Sequence, residues 1–131
     1  MKFIRATGWT EGTNALHARL VKELKTKHVL WLVSGGSNIN PTAAIMRDLP
    51  DDLSERLSVF LIDERFGEIG HSHSNARQLL DAGFTAKQGV FVPVIDQGFS
   101  LEETQERYAK AVENAFAHAD IVIAQIGMGS D

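Results

Sequence analysis

The alternation of apolar and polar residues predicts helices and strands in turn along the whole chain. Leu16, Leu20 and Leu24 recur at helical spacing, which predicts a helix over about residues 13–26. Continuous apolar runs, typical of buried strands, occupy residues 29–33, 57–62, 90–95 and 120–126. Buried strands separated by helices favour a mainly parallel sheet with helices on both faces. We therefore expect an α/β fold, a three-layer sandwich around that sheet.

Polar and proline residues mark several element boundaries. Asn40 followed by Pro41 predicts a helix start, with the asparagine side chain as cap and proline at the first helical position. Ser100 and Glu103 form a capping-box pattern for a helix that reaches about residue 118. Pro93 lies inside the third apolar run, so we expect that strand to lie at a sheet edge or to end there.

Length and composition indicate one ordinary globular domain over residues 1–131, with 44% hydrophobic and 23% charged residues. A net charge of −4 without a basic stripe argues against nucleic acid as a partner. No apolar run approaches membrane-spanning length, so we expect no membrane partner. The absence of cysteine and of an apolar stretch after Lys2 and Arg5 fits a cytoplasmic protein.

Three of the predicted strands end in small or charged residues. The first leads into Ser34-Gly35-Gly36-Ser37, the second into Asp63-Glu64-Arg65, and the last into Gly127-Met128-Gly129-Ser130-Asp131. The carboxyl ends of parallel strands meet at one edge of a sheet, where open α/β sheets bind ligands. We therefore expect these three segments to form one crevice.

The segment Ser34–Ser37 has the features of an anion site. Its backbone N–H groups, its two hydroxyls and the helix start that follows suit a phosphate. A glycine turn that merely connects two elements is an equally good interpretation of this segment alone. The Walker pattern and the dinucleotide-binding glycine pattern are both absent.

The charged segment allows two interpretations as well. Asp63 suits a general base or a group that holds a partner, and Arg65 suits a carboxylate or a phosphate. Alternatively, Glu64 and Arg65 form a solvated ion pair, with Glu64 in a structural role. His71 and His73 in the loop that follows lack a third ligand nearby, so we interpret them as part of a polar loop and predict no metal site.

These motifs, together with Ser74-Asn75 between the second and the last, occur in an order that resembles the glucosamine-6-phosphate isomerase/6-phosphogluconolactonase family, in particular its lactonase branch. The resemblance implies a modified Rossmann-like sandwich and hydrolysis of 6-phosphogluconolactone in the pentose phosphate pathway. It implies a phosphorylated sugar lactone as ligand and no metal or organic cofactor. The sister branch isomerises and deaminates glucosamine 6-phosphate, and a non-catalytic sugar-phosphate-binding module is a further alternative.

The resemblance also assigns roles to individual residues. Asp63 and Asp131 would be catalytic, with Asp131 opening an Asp-Gly-His motif whose histidine activates water. Arg65 would bind substrate, as would the loop residues Ser34, Gly35, Gly36 and Ser37. Arginine after Asp63-Glu64 is typical of the lactonase branch, whereas the deaminase branch usually has tyrosine at that position.

Two features depart from the family pattern. Three residues, Asn38-Ile39-Asn40, separate Ser37 from Pro41 where the family usually has a single threonine, so we expect a longer anion loop. The family's glycine and histidine do not follow Asp131 in this sequence. We therefore expect an N-terminal portion of a family member, with an incomplete fold, little activity of its own, and exposed apolar surface that allows self-association.

Overall fold

The computed structural model describes residue 3 and residues 5–127. Its elements, in chain order, are α1 (Trp9–Leu24), β1 (Val29–Val33), a 3₁₀ turn (Gly36–Asn38), α2 (Ile39–Asp48), α3 (Asp51–Ser54), β2 (Leu57–Leu61), α4 (Asn75–Asp81), β3 (Val90–Val92), α5 (Leu101–His118) and β4 (Ile121–Ala124). The predicted alternation of helices and strands is confirmed, and α3 is an additional short helix.

Among the described residues, all three strand pairings are parallel, and the sheet order is β3-β2-β1-β4. The chain runs from β1 outwards through β2 to β3, and then returns to place β4 on the other side of β1. The direction of winding therefore reverses between β1 and β4. The predicted parallel α/β architecture is confirmed.

The main core lies on one face of the sheet. Trp31 of β1 is completely buried there, as are Leu20 of α1 and Met46 of α2, and Leu79 of α4 joins the same cluster. Successive residues of a strand point to opposite faces, so Leu30 and Phe60 belong to the second face. There the ring of Phe60 packs against Tyr108 of α5, with centroids 5.8 Å apart.

The second face is covered only in part, since α5 is the one helix of the described residues that packs on it. Val122 of β4 is 39% exposed, Phe116 of α5 is 48% exposed, and Ile126 after β4 is 75% exposed. The expected exposed apolar surface is therefore present, while self-association stays a prediction. Within the described part of the chain, no helix is both long and apolar enough to cross a membrane.

The start of α2 differs from the expectation. The 3₁₀ turn leads directly into α2, which begins at Ile39, so Asn40 lies inside the helix and is not its cap. Pro41 is then the third helical residue, where a missing N–H costs nothing because first-turn N–H groups have no intrahelical acceptor. The prediction of a longer loop is wrong as well, because Asn38 lies in the 3₁₀ turn and both Ile39 and Asn40 lie in α2.

Two further boundary predictions hold, whereas α1 begins at Trp9 and ends at Leu24, earlier at both ends than the predicted residues 13–26. Ser100 caps α5, accepting from the Glu103 N–H, and the Glu103 side chain accepts from the Ser100 N–H in return. β3 lies at the edge of the sheet and ends at Val92, immediately before Pro93. Proline lacks the N–H that would continue the ladder, which explains why this strand is shorter than its apolar run.

Tyr108 fastens α5 to the carboxyl end of β2. Its hydroxyl donates to the Leu61 carbonyl oxygen at 2.7 Å. Burial, with a smaller contribution from the Glu64 charge, raises the pKa of Tyr108 above its ordinary value, so the phenol remains a donor. We predict that Tyr108→Phe lowers the free energy of unfolding by about 1 kcal/mol, because the ring contact persists and one hydrogen bond is lost. Urea denaturation measures this, and an unchanged midpoint would contradict the anchoring role.

Candidate functional site

One cleft lies at the carboxyl ends of the strands and has a volume of about 280 Å³. Its lining comprises Ser34, Gly35, Gly36, Ser37, Asp63, Arg65, Asn75 and Gly127. The loop after β1, the loop after β2 and the segment after β4 thus meet around one space. Every predicted site residue within the described part of the chain lines this cleft, and their roles stay predictions.

The position of the cleft follows from the strand order. β1 and β4 are neighbouring strands between which the direction of winding reverses. Open α/β sheets bind ligands in the crevice at the carboxyl ends of the strands beside such a reversal. The topology therefore favours this edge independently of the residue types found there.

Residues 34–37, here called the glycine loop, line the cleft and contain backbone donors. Gly36 has φ +62°, a left-handed conformation that favours glycine. Among the described residues, no group accepts a hydrogen bond from the N–H of Gly36 or Ser37. These two N–H groups lie in the 3₁₀ turn that leads into α2, whose N-terminal dipole adds to their attraction for an anion.

A partly buried polar network supports the glycine loop from the side of β4. The Ser34 hydroxyl donates to the Gln125 carbonyl at 3.1 Å and accepts from Asn38 Nδ2 at 2.7 Å. The Gln125 amide in turn donates to Asn38 Oδ1 at 3.3 Å, and its Oε1 lies 3.1 Å from the Thr42 hydroxyl. Because the Ser34 proton is used within the protein, the glycine loop offers an anion its backbone N–H groups rather than this hydroxyl.

The loop after β2 contributes two opposite charges to the cleft. Asp63 is exposed, and within the described ranges no side chain forms an ion pair with its carboxylate. Arg65 is also exposed and donates from Nη1 to the His73 carbonyl oxygen at 3.1 Å. The described residues engage one of its five guanidinium N–H groups, which leaves the others for a ligand within this part of the structure.

Glu64, between these two residues, has a structural role. Its carboxylate accepts hydrogen bonds from the Ser74 hydroxyl at 2.8 Å, the Asn75 N–H at 2.6 Å and the Ala76 N–H at 3.1 Å. A carboxylate at a helix N-terminus satisfies free N–H groups and complements the dipole. The described residues show no Glu64–Arg65 ion pair.

His71 organises the loop between β2 and α4. Its Nε2 lies 2.7 Å from the Arg65 carbonyl oxygen, and its Nδ1 accepts from the His73 N–H at 3.2 Å. These two contacts select the neutral tautomer with the proton on Nε2. In the described part of the chain, no group of three or more histidine, cysteine or acidic residues is placed to hold a metal ion.

One predicted site residue lies outside the described structure, and three residues near the cleft were not predicted. Asp131, which the resemblance assigned a catalytic role, lies outside the described residues. Asn38, Gln125 and Asn75 were assigned no role from the sequence. The only signal for Asn75 was its place in the Ser74-Asn75 motif, and Gln125 was hidden inside an apolar run.

The sequence model of a family described as glucosamine-6-phosphate isomerases/6-phosphogluconolactonase matches residues 9–131. The chain belongs to this family. Its sequence has no match among curated proteins.

Two solved structures share the fold. A 6-phosphogluconolactonase from Thermotoga maritima superposes with a TM-score of 0.73 at 20% identity, over 92% of this chain and 55% of that one. A 6-phosphogluconolactonase from Shewanella baltica OS155 gives 0.66 at 18% identity, over 80% of this chain and 46% of that one. The chain thus spans about half the length of these solved relatives. At such identities, the likeness establishes the family fold alone.

Proposed function

We propose that this chain carries the substrate cleft of an enzyme that hydrolyses 6-phosphogluconolactone to 6-phosphogluconate. The observation that carries the proposal is the meeting of the glycine loop, Asp63 and Arg65 around one cleft. The cleft thus combines N–H donors that have no partner among the described residues, one cation and one carboxylate. This combination suits a ligand with an anionic group and a reactive carbonyl. Family membership supports a phosphorylated sugar as the ligand.

Each residue of the cleft has a proposed role that suits its chemistry. The N–H groups of the glycine loop donate to an anionic oxygen, and each such charge-assisted bond contributes about 1.5–3 kcal/mol. Arg65 pairs with a second acceptor of the ligand. Asp63 acts as a general base or holds the group that does so, and Asp131 is the proposed second catalytic carboxylate.

The reaction requires a water molecule to add to the lactone carbonyl. The resulting oxyanion collapses with cleavage of the ring C–O bond, the ring oxygen takes up a proton, and a carboxylic acid is formed. Cationic or N–H donors close to the carbonyl oxygen lower the barrier by stabilising the oxyanion. In the family pattern, a histidine that follows the aspartate at position 131 activates the water.

Arg65 favours the lactonase over the amino-sugar isomerase. The product, 6-phosphogluconate, has both a phosphate and a carboxylate, and a guanidinium pairs well with either group. Glucosamine 6-phosphate shares the phosphate but has no carboxylate, and Arg65 would repel its ammonium group, so the two ligands differ in the part that is not phosphorylated. The resemblance leads to the same conclusion, since the deaminase branch usually has tyrosine at this position.

Competitive calorimetric titration tests the proposal. We predict that 6-phosphogluconate binds more tightly than glucosamine 6-phosphate, and that Arg65→Ala weakens 6-phosphogluconate at least about tenfold, the loss expected for one charge-assisted contact. Arg47→Ala, which removes an exposed arginine near the C-terminal end of α2, is the matched control and leaves the affinity unchanged. Tighter binding of glucosamine 6-phosphate would favour the isomerase, and failure to bind either ester would refute the proposal.

A further inference from the structure

Asn75, the first residue of α4, lies between the two loops that line the cleft. It is only 3% exposed, yet it contributes to the lining of the cleft. Its Nδ2 donates to the Asp63 carbonyl oxygen at 3.1 Å. This contact fixes one end of the amide to the backbone of the loop after β2, directly at the candidate catalytic residue.

The other end of the same amide packs against the glycine loop. A Cβ atom added to Gly35 would lie 2.2 Å from Asn75 Oδ1 and 2.5 Å from Asn75 Cγ, far inside van der Waals contact. Gly35 itself has φ −83° and ψ −156°, an extended conformation that any residue adopts. The close approach of Asn75, rather than the backbone conformation, therefore requires glycine at position 35.

Glu64 holds the backbone of Asn75 in place. Its own N–H donates to Glu64 Oε1 at 2.6 Å, and the same carboxylate accepts from the Ser74 hydroxyl. Glu64 thus anchors the start of α4, and the Asn75 amide extends from this anchor between Gly35 and Asp63. A buried amide with both ends in contact leaves little freedom for either loop to move relative to the other.

We infer that Asn75 is a positioning residue that sets the separation between the glycine loop and Asp63, and thereby the affinity of the cleft for an anion. The inference rests on the proposed function, because it assumes that the glycine loop binds the anionic group of the ligand. A residue that acts through the glycine loop affects every anion bound there. A residue that touches a sugar hydroxyl would affect only the sugar phosphate, and a merely structural residue would affect stability alone.

The first test compares two probes, inorganic phosphate and 6-phosphogluconate, by calorimetric titration. We predict that Asn75→Ala lowers the affinity for both probes by the same factor, about tenfold. Ser100→Ala removes the cap of α5, away from the cleft, and is the stability control that leaves both affinities unchanged. Asn75→Ser, which also opens the space beside Gly35, carries the same expectation should Asn75→Ala fail to fold.

The second test uses the contact between Gly35 and Asn75 directly. We predict that Gly35→Ala lowers the affinity for phosphate at least tenfold in the native sequence, but less than about threefold in the Asn75→Ala background, where the space is open. Equal losses in both backgrounds would overturn the inference.

The remaining outcomes separate the inference from the proposed function. If Asn75→Ala binds both probes with native affinity, the inference is overturned and the proposed function stays intact. The same holds if only the affinity for 6-phosphogluconate falls. If the native chain bound neither probe, the proposed function itself would fall.

Discussion

Gly36→Val is expected to lower the affinity of the cleft for 6-phosphogluconate by about 100-fold. Gly36 has φ +62°, and a β-branched residue does not adopt this conformation without strain. The backbone of the glycine loop would rotate, and the N–H groups of Gly36 and Ser37 would leave their positions. Two charge-assisted hydrogen bonds contribute about 3 kcal/mol or more, which corresponds to about 100-fold in affinity. Calorimetric titration of the purified variant measures the loss.

Gly98→Val is the control for this prediction, because it introduces the same kind of backbone strain away from the cleft. Gly98 has φ +68°, and like Gly36 it has open space where a Cβ would lie, but it does not line the cleft. Gly98→Val should therefore lower stability to a similar extent while leaving ligand affinity unchanged. Equal affinity losses in both variants would mean that general destabilisation, and not the glycine loop, explains the effect.

Trp31→Ala is expected to lower the free energy of unfolding by about 3–5 kcal/mol, the loss typical of a large buried aromatic residue. Trp31 is fully buried at the centre of the sheet, because β1 pairs with both β2 and β4. Domains of ordinary size have a total stability of about 5–15 kcal/mol, so this single change brings the chain close to unfolding. Urea denaturation followed by circular dichroism measures the loss.

The second tryptophan provides the matched control. Trp9 at the start of α1 is 63% exposed, so Trp9→Ala should change the stability by no more than about 0.5 kcal/mol. Trp31→Phe tests a finer point, because the buried indole nitrogen has no hydrogen-bond partner in the described structure. Removing an unpaired buried donor offsets part of the lost packing, so this variant should lose less stability than Trp31→Ala. Similar losses for Trp9→Ala and Trp31→Ala would contradict the assignment of the core.

Much of the fold could be predicted because its signals are local. The strand runs are continuously apolar, and a parallel sheet covered by helices requires that pattern. The Ser100–Glu103 capping box depends on residues three positions apart, so it could be recognised directly. The meeting of the glycine loop with Asp63 followed from a general property of parallel sheets, namely that all carboxyl ends lie at one edge.

The errors and omissions have a common physical cause. Asn40-Pro41 is a good helix-start signal, so the sequence predicts too late a start for α2. The 3₁₀ turn leads into the helix earlier, and α2 begins at Ile39. The contact of Asn75 with Gly35 joins the start of α4 to the glycine loop, and no local pattern specifies such a pair. The bond between Asn38 and Gln125 likewise spans most of the chain, and it exists only once β1 and β4 are neighbours.

The central claim is that the glycine loop and the loop after β2 form one site for a phosphorylated sugar. Titration of 6-phosphogluconate into the ¹⁵N-labelled chain, followed by amide chemical shifts, tests this claim most directly. We predict that the largest shifts occur at Gly35, Gly36, Ser37 and Arg65, at one common dissociation constant. Shifts confined to another surface, or separate dissociation constants for the two loops, would contradict the claim.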